Sequence, residues 1–179
     1  MSDNSNDGLN RPILIKNAGL AVIAHYLEYY FSNLGMLNGG AFSSPEMADR
    51  AVHLVQYLAT GKTGGTEDSL ALNKLLCGLS PEASVSASIE LTEQEVQASD
   101  ALLKRVIKRW IMMDHLSIEQ LQYGFLIRGG SVKLDEEEWL LTVDESIEDA
   151  FLEYAIWGKT FFRFTWMGKP VKVEWESFY

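Results

Sequence analysis

The spacing of the apolar residues changes once along the chain, near Gly130, and this change limits the folds that the sequence can adopt. Before Gly130, apolar residues recur every three or four positions, as they do in amphipathic helices. After Gly130 they alternate with polar residues, as in β-strands that have one buried face. Helices followed by strands predict a single α+β domain over residues 13–179, with the helices packed on one face of a small sheet.

Capping residues indicate where several of the predicted helices begin. Ser44 and Pro45 are typical of a helix start, because serine accepts free backbone N–H groups and proline is preformed for the first turn. Thr92 with Glu95, and Ser117 with Gln120, form capping boxes. The five predicted helices span residues 19–34, 45–61, 66–78, 92–110 and 117–129.

Trp110 lies on the apolar stripe of the fourth of these helices, which predicts that it is a core residue.

The strand-like region divides into two predicted hairpins. In the first, Val132 and Leu134 pair with Trp139, Leu141 and Val143 across the acidic turn 135–138. In the second, alternating aromatic residues lead into the turn "MGKP" and a last strand; the apolar positions are Phe162, Phe164, Trp166, Val171, Val173 and Trp175. Because both connections are short, we expect a small antiparallel sheet built of two hairpins.

Charge and composition exclude several classes of protein. A formal net charge of −10 opposes binding to nucleic acid or to anionic lipid. Residues 1–12 are polar and lack the apolar run of a signal peptide, so they are predicted to form a disordered tail without membrane insertion. Four basic residues on the fourth helix, Lys104, Arg105, Lys108 and Arg109, are interpreted as its solvated face. The single cysteine, Cys77, precludes an intrachain disulfide and is interpreted as a small packed side chain.

The stretch "YLATGKTGG" contains Gly61-Lys62-Thr63, the three residues that close a phosphate-binding loop. A complete loop needs another glycine five residues before Gly61 and a preceding strand. Gln56 holds that position, and the preceding residues have helical spacing. We therefore predict that Gly61 ends a helix and that this segment binds no nucleotide.

Other arrangements that support catalysis or metal binding are also missing from the sequence. There is no G-x-S-x-G motif. The three histidines, His25, His53 and His115, stand singly and are not spaced as zinc ligands. His25 is interpreted as a hydrogen-bonded residue in or near the core, and His53 as an exposed residue on the polar side of its helix. The sequence thus predicts a protein that is not an enzyme and has no cofactor or bound metal.

Aromatic residues are the most distinctive side chains near the carboxyl terminus, where four of the five tryptophans follow residue 138. Each of them could fill the core. A small sheet has only one core face, however, so part of this set is expected to be exposed, and exposed aromatic residues commonly anchor protein contacts. Phe161 is the first candidate, because it alternates with Phe162. The candidate partner-binding residues are Phe161, Trp157, Trp166 and Trp175, with Tyr26 and Tyr29 on a second apolar side of the first helix.

An ordered series of short segments resembles the carboxy-terminal region of the contractile injection system tape measure family. The series begins with "NAGLAVIAHYLEYYFSNLGML", "AVHLVQYLATG", "LNKLLCGL" and "LTEQE". It continues with "WG" at Trp157, "WM" at Trp166 and "VEW" at Val173–Trp175. The resemblance covers residues 13–175, and it implies a role in phage-tail-like particles, in which an inner tube lies within a contractile sheath.

The resemblance also implies which partners the protein has. They are the inner tube, the cap or tail terminator, and the baseplate of the same particle, together with further copies of the chain in a symmetric assembly. Synthesis in the bacterial cytoplasm is expected, followed by incorporation into a particle that the cell can release.

The length of the chain bears on which role within the family it can have. Family members are usually much longer, and even a fully helical chain of 179 residues would reach only about 270 Å, at about 1.5 Å per residue. We therefore expect a structural module that acts at an end of the inner tube, as a cap adaptor, a plug or a tape-measure-terminal module. The alternative is a soluble assembly chaperone or cargo-loading adaptor that is absent from the mature particle.

Overall fold

A computed structural model describes Gly8 and residues 10–110, 114–152 and 160–176. It confirms the α+β class, with helices packed on one face of a five-stranded sheet. The helices are α1 (Leu27–Asn33), α2 (Pro45–Thr60), α3 (Ala71–Leu76), α4 (Glu93–Arg109), α5 (Ile118–Leu121) and α6 (Asp149–Leu152). The strands are β1 (Ile13–Ile15), β2 (Leu37–Asn38), β3 (Ala41–Phe42), β4 (Gly130–Asp135), β5 (Glu138–Val143), β6 (Phe161–Phe162) and β7 (Val171–Trp175). Residues 1–7, within the predicted tail, lie outside the described residues.

The five-stranded sheet has the order β1-β4-β5-β7-β6. Its strand pairing differs from the predicted sheet of two antiparallel hairpins. The pairings β4–β5 and β6–β7 are antiparallel, as predicted. Strand β6 ends at Phe162, however, so the predicted continuation of this strand through Phe164 and Trp166 to a turn at 167–170 is wrong. Strand β7, however, pairs with β5 in parallel. Strand β1, which precedes all the helices, adds an antiparallel edge to β4. Neither pairing joins strands linked by a short turn, so local sequence spacing does not reveal them.

A separate small hairpin, β2–β3, was also missing from the prediction. Its two-residue turn is Gly39-Gly40, and both glycines have positive φ, 63° and 82°. This conformation suits a type I′ turn, which favours glycine at both central positions. The dipeptide was therefore a usable signal for a hairpin.

The capped helices begin where the sequence predicts. The Ser44 hydroxyl accepts a hydrogen bond from the Met47 amide at 3.2 Å, and both predicted capping boxes are formed. Helix α2 ends at Gly61, which is left-handed with φ 75°. The Gly-Lys-Thr segment is thus a helix terminus, as predicted, and not the start of a helix.

The first predicted helix, residues 19–34, differs from the observed structure. Residues Ala18–Val22 and Ala24–Tyr26 form two 3₁₀ turns, and only Leu27–Asn33 is α-helical. Residues 18–24 are buried on every side, so packing rather than local preference sets their conformation. The β-branched pair Val22-Ile23 falls at the break between the two turns, and β-branched residues form helix less readily.

His53 is fully buried, and the prediction that it is exposed is wrong. Its Nδ1 atom accepts a hydrogen bond from the Gly64 amide at 3.2 Å. The glycine-rich segment after α2 therefore folds back over the helix and covers the imidazole. Cys77 is buried as predicted, and burial raises the pKa of its thiol.

Arg50 and Glu95 join α2 to the start of α4 through a salt bridge. Glu95 also accepts a hydrogen bond from the Thr92 amide at 2.9 Å. Burial raises the pKa of Glu95, but the hydrogen bonds from Arg50 and Thr92 outweigh it, so the net shift is downward. A carboxylate with a lowered folded-state pKa stabilises the fold above its unfolded pKa of about 4.3, and this contribution is lost as the pH falls through the folded value.

We predict that Glu95→Gln lowers the free energy of unfolding at pH 7 and that the difference from wild type shrinks at about pH 3. Urea unfolding at both pH values measures this difference in the free energy of unfolding. Glu93→Gln, an exposed change in the same helical turn, serves as the control and should show little difference at either pH. An undiminished Glu95→Gln effect at low pH would contradict the assignment.

Candidate partner-binding surfaces

The sheet has one buried face and one accessible face. Cross-strand neighbours in the register lie on the same face, so the residues that alternate with the buried ones form one continuous surface. The accessible face, which we call the outer face, carries Leu14, Ser131, Lys133, Leu140, Thr142, Phe161, Lys172 and Glu174. All eight are exposed or half-buried.

Phe161 lies on the outer face at the edge strand β6, and its side chain is 51% exposed. It is opposite Lys172 in the register and in one row with Leu140 and Lys133. At the opposite edge of the sheet, Leu14 on β1 is 79% exposed. The outer face therefore combines accessible apolar side chains at both edges with charged residues between them, a composition typical of interfaces that are not obligate.

The acidic turn between β4 and β5 lies next to Phe161. A groove of about 530 Å³ is lined by both, together with Arg163 and Lys169. Lys169 Nζ lies 3.2 Å from Glu137 Oε2, and Glu136 has a left-handed φ of 54°. The turn is thus an acidic, solvent-accessible corner of the sheet, with the Glu137 carboxylate paired to Lys169.

Trp166 packs against aromatic residues of the core. It stacks on Phe164 at 4.8 Å between ring centroids and contacts Phe31 and Phe42. Its indole Nε1 donates a hydrogen bond to the Leu76 carbonyl at 2.9 Å. Trp166 is half-buried, and these contacts leave only part of the indole available to a partner.

Trp175 is on the buried side of the sheet, in register with Val143 at the end of β7. The guanidinium of Arg128 lies 5.4 Å from its ring centroid, and Arg128 is held in turn by Asp149 through hydrogen bonds of 2.8 and 3.0 Å. Trp175 is half-buried and packs against the core. Trp157 lies outside the described residues.

Tyr26 and Tyr29 differ in exposure. Tyr26 is half-buried against the core, with its ring 4.1 Å from that of His25. Tyr29, on α1, is 56% exposed, and the guanidinium of Arg105 lies 4.9 Å from its ring centroid. Among the sequence-predicted residues that the structure describes, Phe161 and Tyr29 are therefore the most accessible, and they lie on different elements.

A basic groove begins at Arg105 and follows the end of α4. It has a volume of about 760 Å³ and is lined by Lys104, Arg105, Lys108 and Arg109, together with Ile107, Leu116, Ile118, Asp114 and Glu119. The four basic side chains are exposed, as predicted. Sequence reasoning missed the concave shape, because the wall opposite α4 comes from the segment that leads into α5.

Several polar side chains link separate elements of the fold. Within residues 10–110, 114–152 and 160–176, no group of three histidine, cysteine, aspartate or glutamate side chains is placed to hold a metal ion. The side-chain amides of Asn17 and Asn73, which are buried, and of Gln56, which is half-buried, bond one another at 2.7 to 3.0 Å and link the β1 segment to α2 and α3. What remains accessible is aromatic and charged surface.

The family model of the contractile injection system tape measure protein matches residues 2–175, nearly the whole chain. The chain belongs to this family. Membership confirms the resemblance seen in the short sequence segments, and the contractile injection system tape measure family is one of structural proteins rather than enzymes.

Membership in the contractile injection system tape measure family implies association with the tail tube of the same particle. No curated protein and no solved structure matches the chain. None of the helices in the described part of the chain combines the length and apolar character needed to cross a membrane.

Proposed function

We propose that this protein is a non-enzymatic structural component of a contractile particle and acts at an end of its inner tube, as a cap adaptor, a plug or a tape-measure-terminal module. The outer face, with Phe161 at its edge, is the observation that carries the proposal. The partner at this face is an inner tube, cap or baseplate protein, and further copies of the chain complete the assembly.

Binding of a partner over Phe161 would be stabilised by the burial of apolar surface. The Phe161 ring is half exposed in the monomer, so a partner that covers it removes apolar surface from water, which is favourable by about 25 cal/mol per Å². Lys172 lies opposite Phe161 in the register, and Glu174 is two residues further along β7 on the same face, so both can contribute to the polar rim that surrounds most interface anchors. The net charge of −10 makes nucleic acid an unsuitable partner for this function.

The polar composition of the outer face also favours a second role. Obligate interfaces are more hydrophobic than interfaces that form and dissociate. A soluble assembly chaperone or cargo-loading adaptor would bind tube subunits through the same face and leave before the particle is complete. Stoichiometric presence of the protein in purified particles supports the structural component, whereas binding to tube subunits combined with absence from particles supports the chaperone.

We predict that Phe161→Ala prevents co-purification with particles while leaving the monomer folded. Replacing an interface hot spot typically costs at least about 2 kcal/mol of binding, which is roughly a thirty-fold loss of affinity. The measurement is quantitative immunodetection in purified particles, with circular dichroism of the isolated protein.

Tyr123→Ala is the matched control for this experiment. Tyr123 is an aromatic residue 75% exposed, and it lies outside the outer face. We expect its replacement to leave incorporation unchanged. If Phe161→Ala is incorporated as fully as Tyr123→Ala, the outer face is not the binding surface, and the Tyr29 surface becomes the next to be tested.

A further inference from the structure

Two surfaces of opposite charge lie on different parts of this chain. The first is the acidic turn, whose four consecutive residues Asp135–Glu138 are accessible to solvent. The second is the basic groove, which carries four cationic side chains on α4 although the chain as a whole has a net charge of −10. An acidic protein that concentrates basic residues in one concave site has a surface suited to an acidic partner.

The shape of the basic groove suits a narrow projection. Its volume of about 760 Å³ is comparable with the range of about 300–1,000 Å³ found for ligand clefts in proteins, and it is open enough to admit a turn from another chain. Leu116 and Ile118 add half-buried apolar surface to its wall. The cationic side chains are spaced along two turns of α4, so they can pair with more than one carboxylate at a time.

The shape of the acidic turn suits insertion. It joins β4 and β5, which stay in register over six residue pairs up to Asp135 and Glu138. Only Glu136 and Glu137 form its tip, and the Glu137 side chain is almost fully exposed. Because the flanking strands fix the tip, little conformational entropy is lost when it binds.

We propose that copies of this chain associate head to tail, with the acidic turn of one copy seated in the basic groove of the next. A second copy is the occupant because the complementary charges are both found on this chain. The contact joins two different patches, so it is heterologous, and successive copies form a closed ring or an open row. This inference specifies the self-association included in the proposed function and rests on that part of it.

The contact depends on accessible charges, so it weakens as salt screens them. Its small area makes a single contact weak, since interfaces below about 1,200 Å² are mostly transient. Sedimentation velocity of the purified full chain should show concentration-dependent association in about 20 mM salt, weakened at least about ten-fold in about 0.5 M salt.

Charge reversal tests the pairing directly. The turn variant carries Glu136→Lys with Glu137→Lys, and the groove variant carries Lys104→Glu with Lys108→Glu. Each variant alone should lose self-association by at least about ten-fold, because like charges then face each other. An equimolar mixture should associate again, because each turn then meets a groove of opposite charge.

A matched control separates this contact from the effect of net charge. Glu82→Lys with Glu145→Lys makes the same change in charge as the turn variant at two other exposed positions, and it should keep wild-type association. Circular dichroism and melting temperature establish that every variant is folded.

Three results would overturn the inference. They are a monomeric wild-type chain at low salt, association that the turn and groove variants leave intact, and a mixture of folded variants that stays monomeric. The second result has a special case, in which folded groove variants self-associate normally but fail to enter particles. The groove would then bind another acidic protein, and the head-to-tail contact would be excluded. Phe161 is not altered in any of these variants. If head-to-tail association is not observed, the Phe161→Ala experiment can therefore still confirm or refute binding through the outer face.

Discussion

Replacing Trp110 by alanine is expected to lower the free energy of unfolding by about 3 to 5 kcal/mol, the range found when large aromatic residues are removed from protein cores. Trp110 follows the last residue of α4 and is only 8% exposed. Its ring packs edge to face against Phe125, with 5.1 Å between centroids. The substitution therefore removes both buried area and a specific aromatic contact.

Such a loss is large beside the total stability of most domains, which is about 5 to 15 kcal/mol. Thermal unfolding should show a melting temperature lower by roughly 6 to 20 °C for a chain of this size. Tyr123→Ala again serves as the control and should change stability by no more than about 0.5 kcal/mol, since it truncates a mainly exposed ring. Equal melting temperatures for the two variants would show that α4 is not packed as described.

Adding a single methyl group at Gly19 should also destabilise the fold strongly. A Cβ atom at this position would lie 1.8 Å from the Phe125 carbonyl oxygen and 2.7 Å from the Leu126 Cα atom. Both atoms belong to the backbone, so relief requires that the first 3₁₀ turn and the segment 122–126 move apart. We expect Gly19→Ala to cost about 3 kcal/mol, at the upper end of the usual cost of overpacking.

Gly168→Ala is the natural comparison for Gly19→Ala. A Cβ atom at Gly168 would meet no atom within 4 Å, and Gly168 does not have positive φ. Its replacement should be neutral, or slightly stabilising because alanine restricts the unfolded chain. Urea unfolding of both variants measures the difference, and a Gly19→Ala protein as stable as Gly168→Ala would refute the close approach of the two segments.

The parts of the fold that the sequence predicted correctly are those decided by neighbouring residues. The capping boxes at Thr92 and Ser117 depend on side chains three residues apart. The β4–β5 hairpin depends on strict alternation across a short turn. The burial of Trp110 follows from its position on the stripe of a long amphipathic helix, where the phase is well determined.

The parts that could not be predicted depend on distant contacts. His53 has polar neighbours along α2, yet the Gly64 amide covers it because the following loop turns back. The parallel pairing of β5 with β7 requires a crossover of many residues. The exposure of Phe161 agrees with its place in the alternation, whereas the half-burial of Trp166 depends on Leu76 and Phe31, which are far from it in sequence.

The pairing of β1 with β4 determines how long the first strand must wait for a neighbour during synthesis. Ile13 is opposite Val132, so more than a hundred residues must leave the ribosome before the first strand meets its neighbour. Contacts between residues so far apart slow folding, because a long loop must close first. The helices from α1 to α4 can form earlier, and the nascent chain must keep Ile13 and Ile15 from other apolar partners until β4 emerges. The amino-terminal strand is therefore the strand of this sheet that waits longest between its own synthesis and that of its neighbour.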